Sequence, residues 1–430
     1  MDQAQSKRAQ AAAESAQDHV DGERLRRAIA ELAAFGGRDD GGVSRQTLTD
    51  IDLQARRHRV ERARALGCEV RIDDAANLYF RRAGEQDLPP VLTGSHADTQ
   101  PVGGKLDGAY GVLAGLELIE ALNDAQVQTL RPVEVVCWTN EEGSRFGPGC
   151  MGSSAFVDPA RLPAYRAAVD GDKVTFGEAL DRALQQMADV PRRAMQQPMA
   201  SFVELHIEQG PVLERAGVAL GVVTGIQSVR WYGVKATGVA AHAGTTPMEV
   251  RVDAMAACIE VAHRLQAEAA QAADSGLRLT LGRWVVSPNS INTIPGEVEF
   301  TVDARCVDEQ VLARFDVALR KTVAGHAWRG RMELQPLFAR APTRFPQAML
   351  EVVAQACERA SSVAGKPSPI QLTSGAFHDA MYLADHCPTA MIFVPSKDGL
   401  SHNAAEETAH EDLVLGARAL AHAVVSLAFA

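Results

Sequence analysis

The sequence predicts an α/β fold with a mostly parallel mixed sheet, interrupted by a smaller α+β unit. Three observations carry this. Apolar strands alternate with helices in the first half, the pattern changes between about residues 225 and 337, and the first pattern returns after Pro346. A chain of 430 residues is long enough for two or three domains.

In the first half, 90–94 reads as a short buried strand, 110–122 as an apolar helix and 132–139 (PVEVVCWT) as a second strand. Two apolar strands joined by a helical crossover make a βαβ unit, and such units build parallel sheets covered by helices on their faces. The sheet resumes at 202–206. From there the order becomes a strand at 231–237, a helix at 251–269, strands at 277–286 and 296–305, a helix at 309–323 and a strand at 331–337. That βαββαβ order suits a small antiparallel unit inserted into the larger one. A helix at 346–361, the strand Thr389–Val394 and a closing amphipathic helix at 411–429 restore the first pattern. The expected organisation is a frayed Ala/Gln-rich segment at 1–20, a main domain over 21–224 and 339–430, and a satellite over 225–338.

Composition narrows the function classes. With 46% hydrophobic and 23% charged residues the chain reads as soluble and globular, which sets aside disorder, collagen and coiled coil. The net charge of −11 argues against sequence-independent binding of nucleic acid or anionic membrane, since both need positive surfaces. An anionic small-molecule ligand would need a local cationic pocket. Seven scattered cysteines without a C-x-x-C pair indicate neither a disulfide framework nor a zinc knuckle, and a reducing cytoplasm fits them. Residues 1–22 hold no apolar run of signal-peptide length, and no stretch approaches the roughly 18 apolar residues of a membrane span, so a cytoplasmic location is expected. Neither G-x-G-x-x-G nor a P-loop occurs.

The chemistry gathers where predicted strands end, which is where open parallel sheets bind ligands. His96 and Asp98 close the first strand, and Asp107 follows after Gly103 and Gly104, glycines that let the loop fold back. Glu141 and Glu142 follow the apolar run Val135-Val136-Cys137-Trp138. Adjacent carboxylates at such a place repel one another and lose hydration, and a metal ion is the economical compensation. His206 follows Phe202–Leu205, and His402 lies in Ser401-His402-Asn403 after another strand. A lone histidine is more often a surface or satisfied residue than a ligand. Four separate strand-end loops that deliver His, Asp, Glu, His and His supply the donor set that Zn²⁺, Mn²⁺, Co²⁺ and Ni²⁺ prefer.

The segments GSHADTQPVGGKLDGAYGVLAGLE, TNEEGSRFGPGCMGSSAF, ELHIEQGPVLE, VVTGIQSVRWYGVKATGVAAHAGTTPM, NTIPGEVEFTVDAR and FVPSKDGLSHNAAEET resemble the amidase/hydantoinase/carbamoylase family of dinuclear metallohydrolases. The resemblance runs from about Gly22 to the C-terminus. It implies a zinc-peptidase-like catalytic domain interrupted by a ferredoxin-like lid and dimerisation domain, hence a homodimer. It implies two divalent ions per subunit held by His96, Asp107, Glu142, His206 and His402, with Asp107 bridging them. Asp98 matches a carboxylate that orients His96, and Glu141 matches the general base. The Asp107–Gly108 peptide matches a cis bond. His242, in AHAGTTP, matches a histidine that steadies the oxyanion in the partner protomer's site. Asn292 and Arg305 match residues that hold the substrate carboxylate, and a guanidinium fork suits that task. Gln209, Gly375 and Ala376 match further substrate contacts.

Two departures stand out. Phe377 replaces a glycine, which implies a smaller or reshaped pocket, and Ala404 stands where proline is common. The implied reaction is hydrolysis of the ureido C–N bond of N-carbamoyl amino acids, L-α-amino acids or β-alanine (ureidopropionase activity). Allantoate amidohydrolase is the alternative, followed by an aminoacylase or peptidase. A non-catalytic metal-binding homologue is the competing class.

Overall fold

Strands buried at every position mark the centre of a sheet covered on both faces. Four segments here meet that description: Val91–His96, Val133–Trp138, Ser201–Ile207 and Thr389–Val394. The computed structural model describes Gln3–Ala430 and divides into two units, one formed by Ile226–Thr343 and the other by the rest of the chain. In chain order the strands are β1 (Glu69–Ile72), β2 (Leu78–Arg82), β3 (Val91–His96), β4 (Val133–Trp138), β5 (Ser201–Ile207), β6 (Gly221–Ile226), β7 (Ser228–Thr237) and β8 (Ala241–His242). There follow β9 (Arg278–Thr280), β10 (Trp284–Ser287), β11 (Thr293–Ile294), β12 (Glu297–Cys306), β13 (Arg331–Arg340), β14 (Thr343–Arg344), β15 (Ile370–Ser374) and β16 (Thr389–Val394).

The larger unit is built on a nine-stranded sheet of order β1-β2-β4-β3-β5-β16-β6-β14, with β15 on β6. Its centre, β4-β3-β5-β16, is parallel throughout, while β1, β2 and β6 pair antiparallel at the flanks. The chain passes from β3 to β4 on one side and later places β5 on the other. The crevice at the carboxyl ends of β3 and β5 is therefore a topological switch point, where such sheets bind ligands. The helix Ala109–Asp124 is apolar on nearly every face and packs against β3, as a helix buried in the core must.

The N-terminus departs from the expected frayed segment. Residues Gln3–Asp18 form a helix packed on the closing helix His410–Ala428, with Ala9, Ala12, Ala13 and Ala16 buried. That i, i+3, i+4, i+7 spacing makes an alanine face narrow enough for close helix packing, which the tract's low overall hydrophobicity conceals. Met1 and Asp2 lie outside the described residues.

The second unit is a five-stranded antiparallel sheet of order β10-β12-β7-β13 with β9 on β12, accompanied by helices Ala254–Gln271 and Glu309–Ala324. Taken in sequence, this is the split βαββαβ arrangement of a ferredoxin-like fold. Burial alternates strictly along β12, whose Val298, Phe300, Val302 and Ala304 face the core. The single strand expected at 277–286 is two, because β9 pairs with Asp303–Arg305 and β10 with Glu297–Phe300, and the ladder breaks between Thr280 and Trp284. The unit ends at Thr343 rather than 338, since β13 runs to Arg340. Among the described residues no helix is long and apolar enough to cross a membrane. All seven cysteines are unpaired and buried.

Candidate metal centre

Asp107 is the hub of the crevice. Its Oδ1 lies 3.3 Å from His206 Nε2 and 3.7 Å from His96 Nε2, and its Oδ2 lies 3.2 Å from His402 Nε2. His402 Nε2 is also 3.4 Å from Glu142 Oε2. Two groups result, His96–Asp107–His206 and Asp107–Glu142–His402, in each of which the ligand-type atoms lie within 4.8 Å of one another. They share Asp107.

The ring orientations test whether these residues suit a cation. His96 Nδ1 lies 3.0 Å from the carbonyl of Asp98, and His206 Nδ1 lies 2.8 Å from that of Ile207. A carbonyl only accepts, so each Nδ1 is the protonated nitrogen and each Nε2 of the neutral ring carries a lone pair. Gly108 N–H donating to His206 Nε2 at 3.1 Å agrees. Lone pairs aimed at a buried carboxylate repel it unless a positive charge lies between them. Imidazole and carboxylate donors so placed fit a borderline divalent ion.

The local charges follow from the same crowding. Burial opposes ionisation of Asp107, but the three imidazoles of His206, His402 and His96 gathered around it outweigh burial and hold the carboxyl well below the usual range. Burial, reinforced by Asp379, Glu142 and Asp107, pushes Glu141 well above the usual range. Burial and then Asp107 raise Glu142 to about 7. The hydrogen bond to Asp107 lifts His402 to about 9. Four carboxylates, Asp98, Asp107, Glu141 and Glu142, thus share one buried crevice, and three of them are costly to ionise without a counter-charge.

Glu141 stands beside both groups, its Oε2 3.4 Å from His96 Nε2 and its Oε1 accepting from Cys150 Sγ at 3.4 Å. Asp98 meets the His96 ring at ion-pair distance rather than through a side-chain hydrogen bond. The His96 ring is fixed by Asp98's backbone carbonyl, while the carboxylate, 3.7 Å from Nδ1, accepts from the backbone N–H groups of Glu141 and Glu142 at 3.3 Å each. It ties the β3 loop to the β4 loop. Nor is Asp107–Gly108 cis. Among the described residues the cis peptides are Gly147–Pro148 and Ser287–Pro288, and the chain reverses through Gly108 at φ 63°, ψ −48°, a region open to glycine.

Gln209 Nε2 donates to Asp107 Oδ2 at 3.0 Å and to Ser401 Oγ at 3.2 Å. Gly375 and Ala376 are half-buried in the loop leading to His378, whose ring packs edge-on against His206 with centroids 4.5 Å apart. In the second unit, His242 on β8 pairs with Thr293 on β11, and Ala243 N–H donates to the carbonyl of Asn292 at 2.9 Å, so His242 and Asn292 are neighbours. Arg305 sits elsewhere, near the end of β12 opposite Val229, in an ion pair with Asp303 at 2.8 Å.

Glu406 was not among the expected residues. Its Oε1 accepts from the backbone N–H groups of Leu106 (2.9 Å) and Asp107 (3.1 Å), and its Oε2 from Ser401 Oγ (2.9 Å). The same hydroxyl lies 3.1 Å from Asp107 Oδ2, so its single proton is shared between the two carboxylates, serving one at a time. Gln100 was also missed, and it donates to Glu142 through both its backbone N–H (3.1 Å) and its side chain (2.6 Å). The available signal was proximity in sequence, since Glu406 lies four residues past His402 and Gln100 four past His96.

Comparison with known proteins places this geometry. A model of peptidase family M20/M25/M40 matches residues 92–426. An N-carbamoyl-L-amino acid amidohydrolase of Geobacillus stearothermophilus is 38% identical over 95% of this chain and 99% of its own length. An allantoate amidohydrolase of Escherichia coli is 36% identical over 94% and 98%. A solved amidase of the hydantoinase/carbamoylase family from Burkholderia vietnamiensis superposes with a TM-score of 0.87 at 42% identity, covering 96% of this chain and 98% of that one. The chain therefore belongs to the M20/M25/M40 peptidase family, among its hydantoinase/carbamoylase-type amidases.

Proposed function

We propose that this protein is a metal-dependent amidohydrolase that cleaves the ureido C–N bond of N-carbamoyl-L-amino acids to the amino acid, ammonia and carbon dioxide. The observation that carries this reading is the convergence of three imidazole Nε2 atoms on Asp107 with Glu141 alongside. Relatives bearing that activity over the full length of the chain support it. Two divalent ions, drawn from Zn²⁺, Mn²⁺, Co²⁺ and Ni²⁺, would be held by His96, Asp107 and His206 and by Asp107, Glu142 and His402. When bound they supply Lewis acidity, lowering the pKa of a water and polarising the carbamoyl carbonyl.

Glu141 is the proton carrier. It accepts a proton from the water as oxygen attacks the carbamoyl carbon, then passes it to the departing nitrogen as the C–N bond breaks. The remaining carbamate falls apart into ammonia and carbon dioxide. Gln209 holds Asp107 and lies with Gly375 and Ala376 among the substrate contacts. His242 serves the oxyanion. Its Nδ1 accepts from the backbone N–H groups of Gly244 and Thr245 at 3.0 and 3.2 Å, which leaves Nε2–H free as an outward donor. Asn292 and Arg305 hold the substrate carboxylate.

The acting form is a cytoplasmic homodimer. Arg305 lies at the far end of β12 from the β8–β11 pair, eight residues or roughly 26 Å at 3.3 Å per residue. A small substrate does not span that distance, so a partner protomer supplying His242 and Asn292 fits better than one chain supplying all three. Mixed dimers of Glu141→Gln and His242→Ala protomers are then expected to regain partial activity, and no recovery after proven subunit exchange refutes it.

Allantoate is the second reading, favoured by the 36% identical relative. It draws on the same residues. In either case Glu141→Gln is expected to keep its metal and lose about 10²–10⁴-fold in turnover. Retained turnover removes Glu141 from this role.

A further inference from the structure

Behind two of the loops that carry candidate ligands, those after β3 and β4, lies a group of charges that the reaction does not use. Asp52, Arg56 and Arg59 stand at i, i+4 and i+7 on the helix Asp50–Ala65, and Arg45 lies in the segment before it. Each is at most 2% exposed. Three guanidinium groups against one carboxylate is an expensive composition for a protein interior, where a single unpaired charge costs several kcal/mol. A hydrophobic helix face would be cheaper if this region only had to pack.

Two of these arginines end on the ligand loops. Arg45 Nε donates to the carbonyl of Ala97 at 2.9 Å, between His96 and Asp98, and its Nη1 anchors on the carbonyls of Leu32 and Phe35 at 2.8 and 2.9 Å. The Arg45 backbone reinforces this, donating to Thr99 Oγ1 at 2.8 Å and accepting from Thr99 N–H at 3.0 Å. Arg56 divides its fork three ways, to Asp52 Oδ2 (2.8 Å), the carbonyl of Ala76 (2.6 Å) and Thr139 Oγ1 (3.1 Å). Thr139 leads directly into Asn140, Glu141 and Glu142. Arg59 differs. It faces Asp52 at 3.7 Å, and none of its guanidinium nitrogens makes a hydrogen bond among the described residues.

We infer that Arg45 and Arg56 are positioning residues that set the His96 and Glu142 loops at the spacing the ions require. Asp52 fixes Arg56 on its own helix, and Arg59 balances Asp52 without touching either loop. The positive charge of Arg56 also favours the ionised form of Asp98 on the first of these loops. This rests on the metal-centre reading, though not on any particular substrate.

The test is metal retention. The protein is loaded with Zn²⁺ or Mn²⁺, and chelator competition at 25 °C is compared with thermal unfolding for Arg45→Lys, Arg56→Lys, Thr139→Val and Arg59→Lys. Lysine keeps the charge but cannot reproduce a three-way fork. The Arg45→Lys, Arg56→Lys and Thr139→Val proteins are expected to release metal at about 10–100-fold lower chelator concentration, the usual cost of losing an outer partner of a metal ligand. Thr139→Ser, which restores the hydroxyl, is expected to recover retention. Arg59→Lys is expected to lower the unfolding midpoint and leave retention unchanged. If Arg56→Lys fails to fold, Thr139→Val still reads the contact, because it removes one hydroxyl and keeps the volume. Wild-type retention in folded Arg45→Lys and Thr139→Val overturns the inference and leaves only a structural role. Wild-type protein that binds no divalent ion overturns the metal-centre reading itself, which is a distinct result.

Discussion

Removing the Glu406 carboxylate gives the sharpest test of how the centre is held. The side chain is 3% exposed and accepts from Leu106 N–H, Asp107 N–H and Ser401 Oγ. In Glu406→Ala the two backbone donors lose their partner inside the protein, at about 1–3 kcal/mol each. Burial, with Asp107 next, already holds this carboxyl above its usual range, so part of the loss is recovered when the charge is removed. A net cost of about 3 kcal/mol follows, or roughly 6 °C in unfolding midpoint for a large domain. Glu406→Gln keeps an acceptor for both N–H groups. Its new amide donates to Ser401, which leaves the hydroxyl proton to Asp107 Oδ2, so it is expected to stay within about 1 kcal/mol of wild type. The assay is thermal unfolding together with metal content after gel filtration. Glu406→Ala is expected to show the lower midpoint and metal loss, with Glu406→Gln near wild type. Equal damage from both substitutions would mean that charge, not the two backbone hydrogen bonds, is what matters.

Other outcomes follow from the same geometry. A Cβ added at Gly108 would sit 2.3–2.4 Å from three atoms of the His96 ring, at a φ of +63°. Gly108→Ala is therefore expected to abolish metal binding at the His96–Asp107–His206 group, by elemental analysis, while far-ultraviolet circular dichroism is retained. The pH dependence of the metal-free protein has a definite sign. Glu142 raised to about 7 and His402 raised to about 9 both bind more protons folded than unfolded, so the stability these two groups contribute is present below their unfolded values and is lost as pH rises through about 7 and 9. Metal binding needs the deprotonated ligands, so the loaded protein gains stability over the same interval. Unfolding midpoints at pH 6 and pH 9, with and without EDTA, are expected to move in opposite directions, and a metal-free protein that is more stable at pH 9 contradicts this.

The parts of the molecule legible in the sequence were those with one dominant periodicity. The fully buried, mostly apolar strands β3, β4 and β16 and the alternating β12 could be read because burial accounts for most of their composition. The grouping of His96, Asp107, Glu142, His206 and His402 could be read because each lies at the carboxyl end of a buried strand or in the loop after it. The N-terminal helix was hidden, since its buried face is alanine and its other faces are polar. The break between β9 and β10 depends on which residues of β12 they meet, a long-range fact that no local pattern records. Arg45, Arg56 and Glu406 escaped notice for a related reason. A charged residue on a polar stretch looks solvated until the fold closes over it, and all three become informative only through partners 20 to 300 residues away.

The most direct measurement of the central claim is ammonia release by the metal-loaded protein from N-carbamoyl-L-amino acids, N-carbamoyl-β-alanine and allantoate, beside Glu141→Gln carrying the same metal. The account predicts metal-dependent release from the carbamoyl amino acids and its collapse in Glu141→Gln. Silence on all three substrates with both ions bound, or undiminished release by Glu141→Gln, would contradict it.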